Sequence, residues 1–290
     1  MQSALPIDTS GHIPSGRVDC TSDLGSQAEA DRPSSVQAAM MSAAAAEHNR
    51  EEDDAMAETD GTAVPKLAVP LTHAQVEAAN QLYQRYLVGW QRYDRVLYAL
   101  REHFPSNKDL ECVLPKAVTL NQLYATNVLA ITRMAGHIVD VLGQEPNPPD
   151  PCVVEKIAWL QDAGKNGMHF RSFASKYCHF FISADRFPIL DDLAGHALDY
   201  HLGPRRRAHV LEGPFSYLTY VADVDRLREA TGLDCSYVET DRYLWLCGQW
   251  LRLREGKRAG KSVVINGEVQ SLLEAPDARA AELLRVAFLG

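Results

Sequence analysis

Apolar residues recur at helical spacing along most of the chain after residue 72, and this pattern indicates a mainly α-helical protein. The first stripe begins at Thr72, which can act as an N-cap, and predicts one long helix that stops near Phe104-Pro105. A second helical stretch covers Leu120–Leu142, with a predicted break near Asn127. Further helices are expected at about 153–161, 170–182, 191–202, 216–231, 238–254 and 277–288. Ser236-x-x-Glu239 is a capping-box candidate for the helix at 238–254.

The strongest strand signal lies near the C-terminus. The segment Val263–Val269 is rich in β-branched residues and contains an Asn-Gly pair, which is typical of a tight hairpin turn. We therefore expect a multi-helix fold with one small β-hairpin near the C-terminus.

Residues 1–66 have a different composition, poor in aromatic residues and rich in Ser, Ala, Gly, Asp and Glu. Residues 1–70 contain 12 acidic and 4 basic residues, whereas the other 220 contain 26 and 25. Such a segment cannot bury enough apolar surface to offset its ordering entropy. We interpret residues 1–66 as a disordered acidic N-terminal extension and residues 67–290 as one α-helical domain, whose near-neutral charge allows an anionic partner.

Composition excludes several classes of protein. No apolar run reaches the roughly 20 residues that a membrane helix needs. The six cysteines show no C-x-x-C spacing, and the histidines show no H-x-x-x-H spacing, so we expect no metal site and no cofactor. Cys178 and Cys247 fall in apolar helical patterns, which favours buried, reduced thiols. No secretory signal is visible, so we expect a cytoplasmic location. We also expect the protein to be a monomer.

Two charged residues on consecutive helical segments are candidates for catalysis. Lys176 lies on the polar face of a helix whose other face is strongly apolar, and Asp191 follows an extended Phe187-Pro188 connector at the start of the next helix. The amine and the carboxylate could flank one cleft. The carboxylate would stabilise an oxocarbenium-like sugar, and an amine with a lowered pKa could attack the sugar C1′.

A structural interpretation of the same residues is also open. Lys176 would be a solvated helix lysine, and Asp191, or its neighbour Asp192, would serve only as an N-cap. The spacing alone favours this structural interpretation.

The segments Ser172-Phe-Ala-Ser-Lys176 and Phe187-Pro-Ile-Leu-Asp191 resemble the core of the helix–hairpin–helix (HhH-GPD) DNA glycosylase superfamily. In that superfamily a glycine-containing hairpin precedes a helix with a lysine, and a catalytic aspartate follows. The resemblance implies that Lys176 is the lyase lysine and Asp191 the catalytic aspartate. The segment Asp162–Met168 replaces the usual L-P-G-V-G-like hairpin, so a monofunctional enzyme that uses only the carboxylate remains an alternative.

The wider pattern is similar to a divergent bacterial branch of these glycosylases. It includes Leu123–Asn127, Met134–Ile138 and Asp241–Trp245. The resemblance implies a hydrolase that flips a damaged or modified base out of duplex DNA and excises it, leaving an abasic site. It leaves two roles open, DNA repair and antiviral defence, and the specific form of the second is removal of a hypermodified phage cytosine.

Other side chains are candidates for contacts with DNA. Gly164 and Gly167 could turn the backbone toward a phosphate. Two basic clusters could each contact DNA phosphates or be ordinary solvated surface. The first comprises Arg205, Arg206 and Arg207, and the second Lys257, Arg258 and Lys261. Base-pocket candidates are Asn121, Tyr124, Asn127 and His179, although the first three could also simply cap the break in their helix.

Two other functions remain open at this point. One is a non-catalytic nucleic-acid-binding or defence-complex protein that keeps a glycosylase-like fold. The other is a helical interaction protein for which both basic clusters are only surface. The sequence does not reveal which base an enzyme would select.

Overall fold

The computed structural model of the chain describes residues 67–162, 165–203, 217–232 and 234–289, without the side chains of residues 162–168. Every described residue belongs to one compact unit, residues 63–290. The predicted disordered extension, residues 1–66, lies outside the described residues. The predicted mainly α-helical class is confirmed for the described part of the chain.

The helices follow one another with short connections. In chain order they are α1 His73–Tyr86, α2 Val88–His103, α3 Leu110–Leu123, α4 Ile131–Gln144, α5 Val153–Ala158, α6 Arg171–Phe181, α7 Asp192–Leu202, α8 Tyr217–Thr231, α9 Tyr237–Arg258, α10 Gly267–Glu274 and α11 Ala278–Leu284, followed by a π-helical turn, Arg285–Leu289. Two predicted helix starts are confirmed, because Thr72 and Ser236 each close a capping box at α1 and α9. No described helix is long and apolar enough to cross a membrane.

The predicted C-terminal hairpin is wrong. Residues 261–266 form no strand, and the Asn-Gly pair begins helix α10 instead. Asn266 is the N-cap, and its Oδ1 accepts hydrogen bonds from the N–H groups of Glu268 and Val269, at 3.0 and 3.2 Å. An Asn side chain can satisfy the free N–H groups of a helix start as well as it can support a hairpin turn, and here it does the former.

The β-hairpin of the described chain lies between α5 and α6. Strand β1, Trp159–Asp162, pairs antiparallel with β2, Lys165–His169, and the register shifts between Leu160 and Asp162. The sequence had predicted a helix through residue 161, but α5 ends at Ala158. The hairpin therefore directly precedes the helix that carries Lys176.

The first predicted helix is broken at Leu87, which has φ −101° and ψ 57°. The carboxylate of Glu268, in α10, accepts hydrogen bonds from the backbone N–H groups of Gly89 and Trp90, at 2.9 and 3.1 Å. The Gln91 amide donates to the carbonyl of Gln84, in the last turn of α1, at 2.9 Å. These contacts satisfy backbone groups that the break leaves without intrahelical partners. The periodicity of the sequence does not reveal them.

Helix α9 packs closely against α7, and Gly248 makes this close approach possible. A Cβ atom at Gly248 would lie 2.3 Å from the carbonyl oxygen of Leu193. The first half of α9 also borders the candidate site, so the contact positions that site as well as the core.

Replacing Gly248 by Ala is expected to lower the free energy of unfolding by about 1–3 kcal/mol, because the new methyl group overlaps backbone atoms. Urea denaturation measures the change. Gly136→Ala, in α4, is the matched control, since no atom lies within 4 Å of its ideal Cβ position. That control is expected to gain about 0.5–1 kcal/mol from helix propensity. Equal stability of the two variants would contradict the close approach of α9 and α7.

Candidate functional site

Lys176 and Asp191 lie side by side. The Lys176 Nζ is 3.6 Å from the Asp191 Oδ2 and donates a hydrogen bond to the Ser172 Oγ at 2.8 Å. Lys176 is only 4% exposed, so the polar face predicted for α6 faces the interior rather than the solvent. The two residues that the sequence singled out therefore form one ion pair, in which the lysine is buried and the aspartate is partly exposed.

Asp191 is the N-cap of α7, and its Oδ1 accepts a hydrogen bond from the Ala194 N–H at 2.8 Å. The cap occupies one carboxylate oxygen and leaves Oδ2 for the lysine. The structural interpretation of Asp191 and its placement beside Lys176 are thus both correct, since one carboxylate does both.

The connector between α6 and α7 is held on both sides, and this fixes the geometry of the pair. The Leu190 N–H donates to the Ser175 Oγ at 3.1 Å, and the Ile189 N–H donates to the Asp241 Oδ2 at 2.9 Å. On the other side, the Tyr217 hydroxyl donates to the Pro188 carbonyl at 2.7 Å. Asp191 follows directly on this anchored segment.

Burial lowers the pKa of Lys176 from its usual value, because the charged form loses its water. The charges of Asp191 and Asp241 oppose this shift. The Lys176 Nζ also lies 5.9 Å above the ring of Tyr124, a favourable position for a cation.

Two more carboxylates border the same space. Asp94, in α2, accepts hydrogen bonds from the hydroxyls of Tyr83 and Tyr124, at 2.6 and 2.7 Å. Burial raises the pKa of Asp94, and the two phenol hydrogen bonds act in the opposite direction. Burial also raises the pKa of Asp241, in α9, and the negative charge of Asp191 adds to this shift.

Aromatic rings form much of the surrounding wall. The rings of Trp90 and Trp245 are stacked at 4.9 Å with an interplanar angle of 13°. The edge of Tyr124 meets Trp90 at 5.2 Å, and the Arg242 guanidinium lies 4.5 Å above the ring of Tyr83. Flat apolar faces of this kind suit a planar ligand.

These groups enclose a cavity of about 50 Å³, room for a few water molecules. Lys176 is not one of the lining residues, but its Nζ lies 3.6 Å from the Oδ2 of Asp191, which is. The lining residues are Tyr83, Trp90, Asp94, Tyr98, Tyr124, His179, Phe180, Ile189, Asp191, Ala194, Val238, Asp241, Arg242 and Trp245.

Residues 73–186 match a protein-family model described as HI_0787_N, N-terminal domain. No curated protein and no solved structure matches the chain. The matched segment runs from α1 into the connector after α6. It includes Trp90, Asp94 and Lys176 and ends before Asp191 and Asp241.

The candidates for the base pocket divide into two groups. Tyr124 and His179 line the cavity, whereas Asn121 and Asn127 do not. The Asn121 Oδ1 accepts hydrogen bonds from the Val128 N–H and the Thr126 hydroxyl, at 2.9 and 2.8 Å, so its amide stabilises the break between α3 and α4. Asn127 has φ +57° and is exposed in the same turn. The contacts of Asn121 are those of the capping role that the sequence left open, and the base-pocket role of both asparagines stays a prediction.

His179 has a defined hydrogen-bond partner. Its Nδ1 lies 2.8 Å from the Phe187 carbonyl oxygen, which can only accept, so Nδ1 carries the proton. Burial lowers the pKa of His179 to about 4. The ring is therefore neutral at pH 7, and His179 adds no positive charge to the cavity.

The predicted DNA-contact residues lie apart from the cavity or outside the described residues. Lys257 and Arg258 are exposed in the last turn of α9, and Lys261 is exposed just beyond it. Lys257 is 12 residues, about 18 Å along the helix, from the cavity residue Trp245. Gly167 lies in strand β2. The remaining candidates, Arg205, Arg206, Arg207 and Gly164, lie outside the described residues.

Trp90, Asp94, Asp241 and Arg242 line the cavity, although the sequence did not single them out as site residues. A usable signal existed for Asp241, which lies two residues before a stretch, Tyr243–Trp250, that is apolar nearly all round its helix. A carboxylate in such a position needs a partner or a function. Trp90 and Asp94 are four residues apart and share a helix face, but the sequence does not show that this face meets α9.

The donor set does not favour a bound metal ion. No group of three or more His, Cys, Asp or Glu side chains in the described residues could hold one. The chemistry available at the site comes from its carboxylates, its lysine and its aromatic walls.

Proposed function

We propose that the chain is a DNA glycosylase that flips a damaged or modified base out of duplex DNA and hydrolyses its N-glycosidic bond. The observation that carries the proposal is the 3.6 Å approach of Lys176 and Asp191 at the edge of an aromatic cavity. Cleavage of this bond builds positive charge on the deoxyribose, and a carboxylate fixed beside the sugar stabilises that charge. Trp90 and Trp245 line the cavity and are stacked on each other, so a flipped base would separate the two indoles and stack between them.

The order of elements supports a helix–hairpin–helix type of fold. Helix α5, the β1–β2 hairpin and helix α6 follow one another, α6 carries Lys176, and Asp191 begins the next helix. The two-stranded hairpin differs from the short glycine loop of that superfamily, so the assignment of this fold is part of the proposal.

Duplex DNA would approach the side of the domain where α2 and the loop before α4 meet the cavity. Helix α2 contributes Trp90 and Asp94 to the cavity and carries the exposed bases Arg92 and Arg95 within a turn of them. The basic cluster of Lys257, Arg258 and Lys261 would add contacts to more distant phosphates. The cavity is small in the free protein, so entry of a flipped base would require the lining side chains to move apart.

Leu129 is well placed to fill the space that a flipped base leaves in the duplex. It is 96% exposed, and its loop begins beside Tyr124, whose ring lines the cavity. Apolar side chains inserted between base steps are a common way to hold DNA open.

Replacing Leu129 by Ala is expected to slow base release from duplex DNA about tenfold, because unstacking the base then lacks compensation. Release from single-stranded DNA is expected to stay unchanged, since no stack has to be opened. Rates on both substrates give the measurement. Val264→Ala, which also shortens an exposed aliphatic side chain (88% exposed), is the matched control. A loss of equal size on both substrates would contradict the wedge role.

The test of the proposed function is release of free bases. The full-length protein is incubated with duplexes that contain deaminated, oxidised, alkylated or hypermodified bases, and mass spectrometry identifies any base that is released. Release of a base that leaves an abasic site supports the proposal. DNA binding without base release would favour the non-catalytic binding protein, and the absence of any salt-dependent DNA binding would favour a helical interaction protein.

Lys176 decides whether the enzyme is also a lyase. The wild type is expected to form a borohydride-stable adduct with DNA that contains an abasic site, because its buried amine has a lowered pKa and can form a Schiff base. Lys176→Gln is expected to form none, and Lys156→Gln, at an exposed lysine, serves as the control. The absence of an adduct with the wild type would identify a monofunctional enzyme.

The cellular location, oligomeric state and biological role of the enzyme are part of the same proposal. The described cysteines are all free, which fits a reducing compartment and a cytoplasmic location. A monomeric state is part of the proposal, and a role in anti-phage defence, with a hypermodified cytosine as the base, follows from the resemblance alone. Base excision from phage DNA in the release assay would test that role directly.

A further inference from the structure

Asp241 has one carboxylate oxygen in use and one free. Its Oδ2 accepts a hydrogen bond from the Ile189 N–H at 2.9 Å. Its Oδ1 is buried and has no hydrogen-bond partner among the described residues. The side chain is 8% exposed and lines the cavity beside Asp191. A buried, unpartnered carboxylate oxygen is costly, which points to a ligand that contacts it.

We propose that Asp241 is the general acid of the reaction and protonates the leaving base through its Oδ1. The inference rests on the proposed function and extends it to the choice of substrate. The enzyme would act on bases that are poor leaving groups as anions and that offer a ring nitrogen or a carbonyl oxygen to a proton donor.

The hydrogen bonds of Asp241 place the proton. The Ile189 N–H can only donate, so Oδ2 remains an acceptor, and a neutral carboxyl group carries its proton on Oδ1. The ring of His179 does not take this proton, although its Nδ1 is 3.7 Å from the Asp241 Oδ2. That nitrogen already donates to the Phe187 carbonyl.

The surrounding charges favour a neutral Asp241. Burial is the largest cause that raises its pKa, and the negative charge of Asp191 adds to it. The Ile189 N–H and the cations Lys176 and Arg242 oppose the shift, but burial outweighs them. The other titratable groups that interact with Asp241 are the phenols of Tyr98, Tyr217 and Tyr237, whose own pKa values are raised by burial.

The two aspartates therefore have different environments and different tasks. Asp191 has a partner for each carboxylate oxygen, because Oδ1 accepts the Ala194 N–H and Oδ2 lies 3.6 Å from the Lys176 Nζ. Asp241 is buried with a free oxygen, which are the surroundings of a neutral acid. Environments that separate two neighbouring carboxyl groups in this way assign the acid and the base of a reaction.

In the proposed step one bond breaks, one bond forms and two protons are transferred. The bond between C1′ and the base nitrogen breaks, and its electron pair leaves with the base, which takes the proton from the Asp241 Oδ1. The oxygen of a water molecule bonds to C1′, and Asp191 accepts the proton that this water loses. Proton exchange with solvent then restores both carboxyl groups.

The test compares leaving groups. For each base that the wild type releases, the second substrate carries the same base with a fluorine substituent, which makes it a better leaving group. Asp241→Asn is expected to slow release of the unmodified base by about 10²–10⁴-fold, the usual contribution of a general acid. Release of the fluorinated base is expected to fall less than tenfold. Asp234→Asn, at an exposed position just before α9, is the matched control.

Two further readouts separate an acid from a merely structural residue. The wild-type rate is expected to fall as the pH rises through the pKa of the acid, and this alkaline limb is expected to disappear in Asp241→Asn. The infrared difference spectrum between wild type and Asp241→Asn is expected to show a protonated carboxyl band at pH 7. An ionised Asp241 at that pH would overturn the acid role.

The outcomes distinguish the two proposals. A wild type that releases no base from any substrate contradicts the proposed function itself. A wild type that is active, with equal losses for both leaving groups in Asp241→Asn, contradicts only the general acid.

Discussion

Base release by the Asp191→Asn variant is expected to be about 10²–10³-fold slower than by the wild type, because the amide cannot stabilise the positive charge that develops on the sugar. The substitution is mild for the fold. Asn is as good an N-cap as Asp, and its Oδ1 can still accept the Ala194 N–H. The measurement is the single-turnover rate of base release, with the denaturation midpoint as a check that the variant is folded.

Asp192→Asn is the matched control for this variant. Asp192 is the next residue of the same helix start and is exposed. Its variant is expected to release base within twofold of the wild type. Full activity of a folded Asp191→Asn variant would show that Asp191 is not the catalytic carboxylate.

The largest expected loss of stability follows the replacement of Lys116 by Met. The Lys116 Nζ is fully buried and donates hydrogen bonds to the carbonyls of Phe104 and Ser106 at 3.0 and 2.8 Å, and to the Asn107 Oδ1 at 2.6 Å. Asn107 keeps a second donor, the Tyr177 hydroxyl, but the two carbonyls lose a partner. We expect a loss of about 3 kcal/mol in the free energy of unfolding.

A loss of that size lowers the melting temperature by about 6–12 °C in a domain of this length. Calorimetry or urea denaturation measures it. Lys108→Met, at an exposed lysine of the same connection, is the control and is expected to change stability by less than about 0.5 kcal/mol. A Lys116→Met variant as stable as this control would mean that the connection between α2 and α3 does not depend on the buried amine.

The same lysine predicts a pH dependence. Burial lowers the pKa of Lys116 to about 8 in the folded protein, against 10.5 for a free lysine. Between these values the unfolded chain binds more protons than the folded one, so the contribution of Lys116 to stability rises with pH. The stability difference between wild type and Lys116→Met is therefore expected to be larger at pH 9.5 than at pH 7.

The pattern of the sequence predicted local features of the fold well. The caps at Thr72 and Ser236 were visible because short polar side chains precede apolar helical stripes. The sequence pattern failed to predict the local conformation where a contact with a distant part of the chain determines it. The break at Leu87 depends on Glu268, which is 181 residues further along the chain.

The candidate site was predictable only in part, for the same reason. Lys176 and Asp191 are 15 residues apart, so a helix, a connector and a helix start suffice to bring them together. Asp94 and Asp241 come from α2 and α9, which meet the site through tertiary packing. No local pattern places them there, and no periodicity distinguishes the buried polar face of α6 from a solvated one.

The stacked indoles of Trp90 and Trp245 make the cavity its own optical reporter. The chain has four tryptophans, and two of them form this wall. Any planar molecule that enters between the walls alters the surroundings of half the indole groups in the protein. Intrinsic fluorescence can therefore follow occupancy of the cavity in unlabelled protein, before any substrate has been converted.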